Sequence, residues 1–496
     1  MQHGACASGD LHSAQAGAAI LEAGGNAVDA AVAAGLMACV TLPTMTSLGG
    51  GGILTLQVDG RVTVCDCFSS IPGLNARRHG ERELDVVTVD FDGVEVDFQV
   101  RAPSIAVPGT VAGLWEVHLR HGKLPLAEVA QPAIQAARRG YEATQSQTTA
   151  FKLLDEIFRM SPETWALVSN GTEVVQPGER IALPTLADSI EQLVAEGPAA
   201  FYEGDIARAI VASAEDWVTP EDLAAYEPRF REPLEGQYRG WSLHLPAMPS
   251  ITGGMLVTAL RALEEGGPLP RDFDVATWGR IADAQQAGAA VRNAEYEERL
   301  FEDGWLQSML AACAGGNTMQ ISTADAEGNL VAYTTTVGES AGVNAGDTGI
   351  VLNNFLGEED ILPAGAMREP GRRMMTSMCP VILHDGHERR LAVGSAGSAR
   401  IKSAILQVIL QVIDGGKSPR DAVLAPRIHM EDDALYVEGY GREPAVAKAL
   451  AALRADNTTI DECGFFFGGA QLVERSPEGF RAGADEERRG CAAVVV

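Results

Sequence analysis

Gly315-Gly316-Asn317-Thr318-Met319-Gln320-Ile321-Ser322 is followed, after the tight turn Ala326-Glu327-Gly328-Asn329, by the apolar run Leu330-Val331-Ala332-Tyr333-Thr334-Thr335-Thr336. The two runs read as the arms of a β-hairpin. A small, flexible segment feeding a Thr at the head of a strand suits self-processing chemistry. Scission before the Thr frees an α-amine beside a hydroxyl, and that amine can serve as the hydroxyl's own general base. The plainer reading is an ordinary hairpin with a Thr at its first position, since Thr favours strands. The octapeptide by itself leaves both open.

The surrounding chain changes character at this point. Ala14–Ala23 and Ala27–Met37 read as two small-residue helices, the first stopped by Gly24-Gly25 and the second capped by Asn26. Gly49-Gly50-Gly51-Gly52 leads into a strand at Ile53–Val58, with Arg61–Cys67 as its hairpin partner. Four glycines in a row let backbone approach backbone without an intervening Cβ. A phosphate cradle is the rival reading, but no Gly-Lys-Ser/Thr follows. Helical patterns then dominate, with amphipathic stretches at Ala127–Arg139, Leu186–Glu196 and Asp205–Ala214, interrupted by a strand at Trp241–Leu245 and resuming to about Leu310. Beyond Thr318 strands dominate: Ile350–Leu352, Pro380–Leu383, Arg390–Val393 and Gly469–Val473, with one long helix at Arg400–Ile413.

The chain has 496 residues, 46% of them hydrophobic and 21% charged, which is ordinary for a globular protein with ample core. Acidic residues outnumber basic ones by 67 to 38, for a formal net charge of −29. Such a surface repels nucleic acid and anionic membranes, so neither is expected as a partner. The apolar stretch Leu21–Val40 holds Glu22, Asn26, Asp29 and a Gly-Gly break, and so makes a poor membrane span. The eight cysteines and nine histidines are scattered without metal spacing, and no metal or organic cofactor is expected. Buried free thiols suit a reducing compartment. The opening Met1–Cys6 has neither a basic n-region nor an apolar h-region, so a cytoplasmic location is expected.

Taken in order, Ala7-Ser8-Gly9, Gly24-Gly25-Asn26-Ala27-Val28-Asp29-Ala30-Ala31-Val32-Ala33, Ser47-Leu48-Gly49-Gly50-Gly51-Gly52 and Val107-Pro108-Gly109-Thr110-Val111-Ala112-Gly113 precede Asn317-Thr318. Gly349–Asn354, Thr376-Ser377-Met378-Cys379-Pro380 and Gly394–Arg400 follow it. This ordered set, spanning nearly the whole chain, resembles the γ-glutamyltranspeptidase family of N-terminal-nucleophile (Ntn) hydrolases. The resemblance implies an α+β fold, an αββα four-layer sandwich. It implies a precursor that cleaves itself between Asn317 and Thr318. The products are a helix-rich large subunit, 1–317, and a strand-rich small subunit, 318–496, intertwined in one unit. Thr318 is then the nucleophile that carries the acyl group, Thr336 the second Thr whose hydroxyl supports it, and Gly397 and Ser398 the pair whose backbone amides form the oxyanion hole. Thr376 and Ser377 match a Ser-Ser pair that binds the substrate's α-carboxylate.

Recognition of a γ-glutamyl group is where the chain departs from the family. The family's carboxylate-binding arginine falls on Phe68, and Arg77 or Arg78, a little downstream, is the substitute to consider. Met319 and Gln320 replace a Thr-His pair, Gly338 stands for an Asn, Phe355 for a Gln, and Glu358 keeps an acidic position. Each lost acceptor for a buried ammonium is worth about 1–3 kcal/mol. The catalytic parts are kept and the glutamate-recognition parts are rebuilt towards an apolar ligand. The expectation is a small-molecule hydrolase that breaks an amide or C–C bond through a Thr acyl-enzyme. Relatives of that kind include biosynthetic C–C hydrolases, an oxamate-type amidohydrolase and acylases. An ordinary γ-glutamyl transferase or glutathione hydrolase is the alternative, and an unprocessed, non-catalytic binder of small acids is the second.

Overall fold

Asp10 accepts a hydrogen bond from the Ser13 N–H (2.9 Å) and starts helix α1, Leu11–Glu22. This cap sets the start three residues before the expected one. Asn26 and Asp29 each take the other's backbone N–H in a capping box that opens α2, Ala27–Thr41. Every residue of α2 is buried, so its small side chains face protein all round. A Cβ on Gly35 would lie 3.0 Å from Tyr333 Cε1, which is why the helix can settle so closely on the sheet beneath it. The computed structural model describes residues 2–75, 84–91, 94–290, 292, 319–358, 369–431 and 433–496.

Two antiparallel sheets carry the molecule. The strands of the first are β1 (Gly4–Ser8), β2 (Gly51–Val58), β3 (Arg61–Cys67) and β4 (Arg229–Arg231). The second takes β5 (Leu234–Tyr238) and β6 (Trp241–Leu245) from the same half of the chain. Beyond residue 318, β7 (Met319–Asp325) and β8 (Leu330–Thr336) join the first sheet. Strands β9 (Val381–His384), β10 (Arg390–Ala396), β11 (Gly469–Ser476) and β12 (Gly479–Ala484) complete the second, and β13 (Ala492–Val495) edges the first. The first sheet runs β13-β1-β7-β8-β2-β3-β4 and the second β12-β11-β10-β9-β6-β5. Each of these two sheets draws strands from both sides of residue 317, so neither side builds either of them alone.

Ala5, Ala7, Leu330 and Ala332 of the first sheet meet Ile382, Ala392 and Val473 of the second. Small side chains in this layer let the sheets approach. The other face of the first sheet is covered by α1, α2 and α3 (Thr110–His121). That of the second is covered by α4 (Thr252–Glu265), α5 (Val275–Ala289) and α6 (Ile401–Ile413). The result is the expected αββα sandwich.

Several local expectations are corrected. The helix over 127–139 is two pieces, Leu126–Val129 and Gln131–Arg139, because Pro132 has no N–H to donate back into the preceding turn. Ile350–Leu352 is not a strand; Val351 and Leu352 make only isolated bridges to Asn344 and Gly49. His118, in the last turn of α3, is half-buried. His118 Nε2 lies 3.0 Å from the Leu124 carbonyl and 3.4 Å from Asp29, inside the turn that follows α3. The described cysteines are free thiols, six of them buried, and burial pushes the Cys6 thiol up to about 12. No helix among the described residues is long and apolar enough to cross a membrane.

Candidate active site

The hairpin read first from the sequence is the centre of the first sheet. Met319, the first described residue of β7, pairs with Thr335, so Thr336 ends β8 level with the start of β7. On its other side Thr336 pairs with Gly51. A Cβ on Gly50 would sit 2.1 Å from the Thr336 carbonyl oxygen, so the glycine run serves backbone-to-backbone approach. The Thr336 hydroxyl accepts the Gly338 N–H at 2.8 Å, fixing the turn that leaves the strand. Asn317, Thr318, Arg77 and Arg78 lie outside the described residues.

Gln320, a departure from the family pattern, is fully buried and has a task the sequence did not reveal. Its Oε1 accepts the Thr334 hydroxyl (2.6 Å), and its Nε2 donates to the Ile321 carbonyl (2.9 Å) and to Ser322 Oγ (3.0 Å). A Cβ on Gly394 would come within 2.1 Å of Gln320 Oε1, so the amide bears directly on β10. It ties the hairpin to the strand that ends in the Gly397 turn. Met319, Gln320 and Ala396 accordingly line one small cleft of about 30 Å³, with Phe465 and Arg489.

Gly397 has φ +119°, and a Cβ there would lie 2.6 Å from Gly468 Cα, so only glycine fits. Ser398 opens the 3-10 turn Ser398–Arg400 that leads into α6. The loop beneath is pinned from below. Arg427 Nη1 donates to the Phe467 carbonyl (2.9 Å), and Arg489 Nη2 to that of Phe465 (2.9 Å). Arg427 also binds Asp485 (2.7 Å), and Arg488 binds both Asp485 and Glu438, so two buried cations meet two buried anions. Burial works to raise the Asp485 carboxyl, but Arg427 and Arg488 together hold it below the usual carboxylate range. None of this network follows from local sequence, since its members are spread from 427 to 488.

A second buried group sits behind α6. His429 Nδ1 lies 2.8 Å from Ser403 Oγ, and its Nε2 lies 3.5 Å from Glu431. The order Ser–His–Glu mimics a nucleophile relay, but Ser403 is 2% exposed and donates to Gln285, so no substrate reaches it. Burial lowers the His429 pKa to about 4, leaving the ring neutral at pH 7.

On the recognition side, Phe68 leaves β3 and its ring meets Phe355 at 4.8 Å between centroids. Ile53, Val64, Ile71, Met374 and Met378 close around the pair, both rings being essentially inaccessible. The Phe68 carbonyl accepts from Arg373 Nη1 (2.6 Å) and the Tyr226 hydroxyl (2.7 Å). Arg373, overlooked in the sequence, also binds Asp66 (3.2 Å) and the Glu227 carbonyl (2.7 Å). With each nitrogen of its fork engaged, it positions the Phe68 segment and stands in for no substrate-binding arginine. The Met374 N–H donates to the Ser69 carbonyl (2.9 Å), which brings Thr376 and Ser377 alongside. Thr376 Oγ1 accepts the Met378 N–H (3.2 Å), whereas the buried Ser377 hydroxyl has no partner among the described residues.

Gly338 has φ +68°, and a Cβ would meet Asn354 Oδ1 at 2.1 Å and Glu358 Oε1 at 2.4 Å. The two side chains occupy the space an Asn at 338 needs, so the changes at 338 and 358 form one adjustment. Glu339 and Glu358 are both buried next to this turn.

The sequence profile described as Gamma-glutamyltranspeptidase matches residues 13–311 and 280–495. The chain is 32% identical to the Acylase ACY 1 proenzyme of Pseudomonas sp. (strain SE83), over 95% of this chain and 89% of that one. It is 29% identical to the Glutathione hydrolase proenzyme of Pseudomonas aeruginosa, over 99% and 94% respectively. The crystal structure of cephalosporin acylase from Bacillus halodurans superposes with a TM-score of 0.82 at 23% identity, covering 100% of this chain and 96% of that one, a likeness of fold. The chain therefore belongs to the γ-glutamyltranspeptidase family and is an enzyme of the N-terminal-nucleophile hydrolase class.

Proposed function

We propose that this enzyme is an acylase-like member of its family that hydrolyses a small amide through a Thr318 acyl-enzyme, after the precursor cuts itself between Asn317 and Thr318 into subunits 1–317 and 318–496. The freed amine of Thr318 takes the hydroxyl proton as the oxygen attacks the acyl carbonyl. The backbone N–H groups of Gly397 and Ser398 hold the oxyanion, and Thr336 supports the nucleophile. The proton passes to the departing amine as the C–N bond breaks. Water then repeats the sequence on the ester, releasing acid and restoring Thr318. The reaction stays within the chain's own residues and small substrate.

The observation that carries the specificity is the Phe68–Phe355 contact inside an apolar cluster, at two positions where γ-glutamyl recognition calls for an Arg and a Gln. With both rings buried in that cluster, neither position presents a charged or amide group to an α-carboxylate or α-ammonium, which favours an acyl group that lacks them. The proenzyme names of two relatives support the processing step. A γ-glutamyl substrate is the second reading. Buried Glu339 and Glu358 beside Gly338 offer carboxylates to an α-ammonium and favour it.

Denaturing electrophoresis tests the first half. Two fragments near 317 and 179 residues are expected, and Thr318→Ala should leave one chain with turnover reduced on the order of 10⁴-fold or more. Paired anilides test the second: a medium-chain acyl anilide should be cleaved faster than γ-glutamyl anilide. Full activity in an unprocessed chain ends the mechanism, and preference for the γ-glutamyl compound ends the apolar-acyl reading.

A further inference from the structure

Gln320 and Thr334 stand directly opposite each other on β7 and β8. Gln320 comes two residues after Thr318, and Thr334 two residues before Thr336. On the second sheet Gly394 of β10 comes three residues before Gly397 and pairs with Gln471 of β11. The Gln320 side chain spans the layer between these two pairs of strands.

Its bonds have one consistent direction. Ser322 Oγ gives its proton to the Gln471 carbonyl (3.2 Å), so it accepts from Gln320 Nε2 (3.0 Å). The other Nε2 proton goes to the Ile321 carbonyl (2.9 Å), and Oε1 accepts the Thr334 hydroxyl (2.6 Å). Turning the amide over would set Oε1 against the Ile321 carbonyl oxygen, so its orientation is fixed. Gln320, Ser322 and Thr334 are wholly buried, and a bond broken there leaves its partner desolvated and unpaired.

On the β10 side the amide acts as a steric stop. A Cβ on Gly394 would lie 2.1 Å from Gln320 Oε1, so the strand can approach that oxygen only as glycine. Elsewhere in the layer Ala5, Ala7 and Ala332 meet Ala392 and Val473, contacts without directional preference. A second cross-sheet bond, from Thr55 Oγ1 to the Pro380 carbonyl (2.7 Å), joins β2 to the segment before β9 and leaves β7 and β10 untouched. We propose that Gln320 is a positioning residue, which holds β7 at a fixed distance from the strand that ends in the Gly397 turn, with Gly394 as the surface it bears on. On the reading of Thr318 as nucleophile, on which this rests, that distance is the one between nucleophile and oxyanion donors. A misplacement of about 1 Å there costs about 10²-fold in rate.

Steady-state kinetics, expressed per processed chain on denaturing gels, and melting curves test this, with Thr318→Ala as the reference. Gln320→Met keeps the length of the side chain and loses its three bonds. Its kcat should fall by about 10–10²-fold with KM within about twofold of wild type. Gly394→Ala, which forces the amide aside, should reproduce that split. Thr334→Val removes one donor and should lower kcat by about fivefold, the worth of a single hydrogen bond. Added to Gln320→Met it should cost nothing more, since the bond is already gone. A lowered melting temperature with wild-type kcat makes Gln320 merely structural and overturns the proposal, as does a change confined to KM or a double variant as poor as the product of the two single losses. Should Gln320→Met not fold, Thr334→Val decides by the same criteria. Turnover by Thr318→Ala defeats the acyl-enzyme reading itself, whereas an inactive Thr318→Ala beside wild-type kcat in the other variants defeats the role of Gln320 alone.

Discussion

The Gly397 side and the Phe68 side of the candidate site are built from different forces. Around Gly397 and Thr336 the geometry is set by backbone against backbone: glycines at 50, 397 and 468 where a Cβ has no room, and a buried charge network underneath. Around Phe68 and Phe355 it is set by side-chain packing, with the Phe68 carbonyl steadied by Arg373. Backbone donors are indifferent to which side chains surround them, whereas a pocket wall changes with each side chain. A family can therefore keep its chemistry at the first place and change its substrate at the second.

Breaking the packed side gives the largest expected effect. Phe68→Ala should lower unfolding free energy by about 3–5 kcal/mol, as for other buried Phe truncations, and blunt any preference for apolar acyl groups. Urea unfolding and the ratio of the two anilide rates measure this; an unchanged ratio would remove Phe68 from recognition. On the other side, Gly397→Ala should cut kcat by about 10²–10³-fold with KM little altered, because a Cβ 2.6 Å from Gly468 Cα displaces the backbone N–H proposed to hold the oxyanion. A fall confined to KM would show that the turn binds substrate and does not stabilise charge.

The buried histidine behind α6 sharpens the contrast through pH. Unfolded His429 takes a proton near 6.5, while burial holds the folded group at about 4. The unfolded state thus binds more protons between these values, and stability falls as pH drops from 6.5 to 4, by up to about 3 kcal/mol. His429→Gln should flatten that slope in melting curves, and an unchanged slope would place the titration elsewhere. The smallest effect belongs to Gly338→Asn, which restores the family's residue into space that Asn354 and Glu358 fill. A loss of about 1–3 kcal/mol is expected, without gain of γ-glutamyl turnover. A gain would mean that Glu358 swings aside and that the pocket still accepts an ammonium.

Local patterns told most of the fold. Asn26 and Asp29 announced a capped helix, the turn at 326–329 a hairpin, and the four glycines a close approach, because each is a property of a few neighbouring residues. Break points set by a single Pro, as at 132, and bridges of one or two residues, as at 351–352, fell below what periodicity resolves. Gln320 showed only as a departure from the family pattern, and Arg373 drew no notice. Their partners on Thr334, Asp66 and Glu227 become neighbours only once the sheets are assembled.

The amino-acid sequence by itself determined the family, the sandwich class and the positions expected to carry the chemistry, because ordered motifs and short-range capping survive without coordinates. Tertiary structure decided that Phe68 packs against Phe355, that Glu358 fills the place beside Gly338, and that His384, Arg390 and Arg475 fall opposite one another across the second sheet. Those facts depend on strand register and on contacts between segments hundreds of residues apart, which no local pattern encodes.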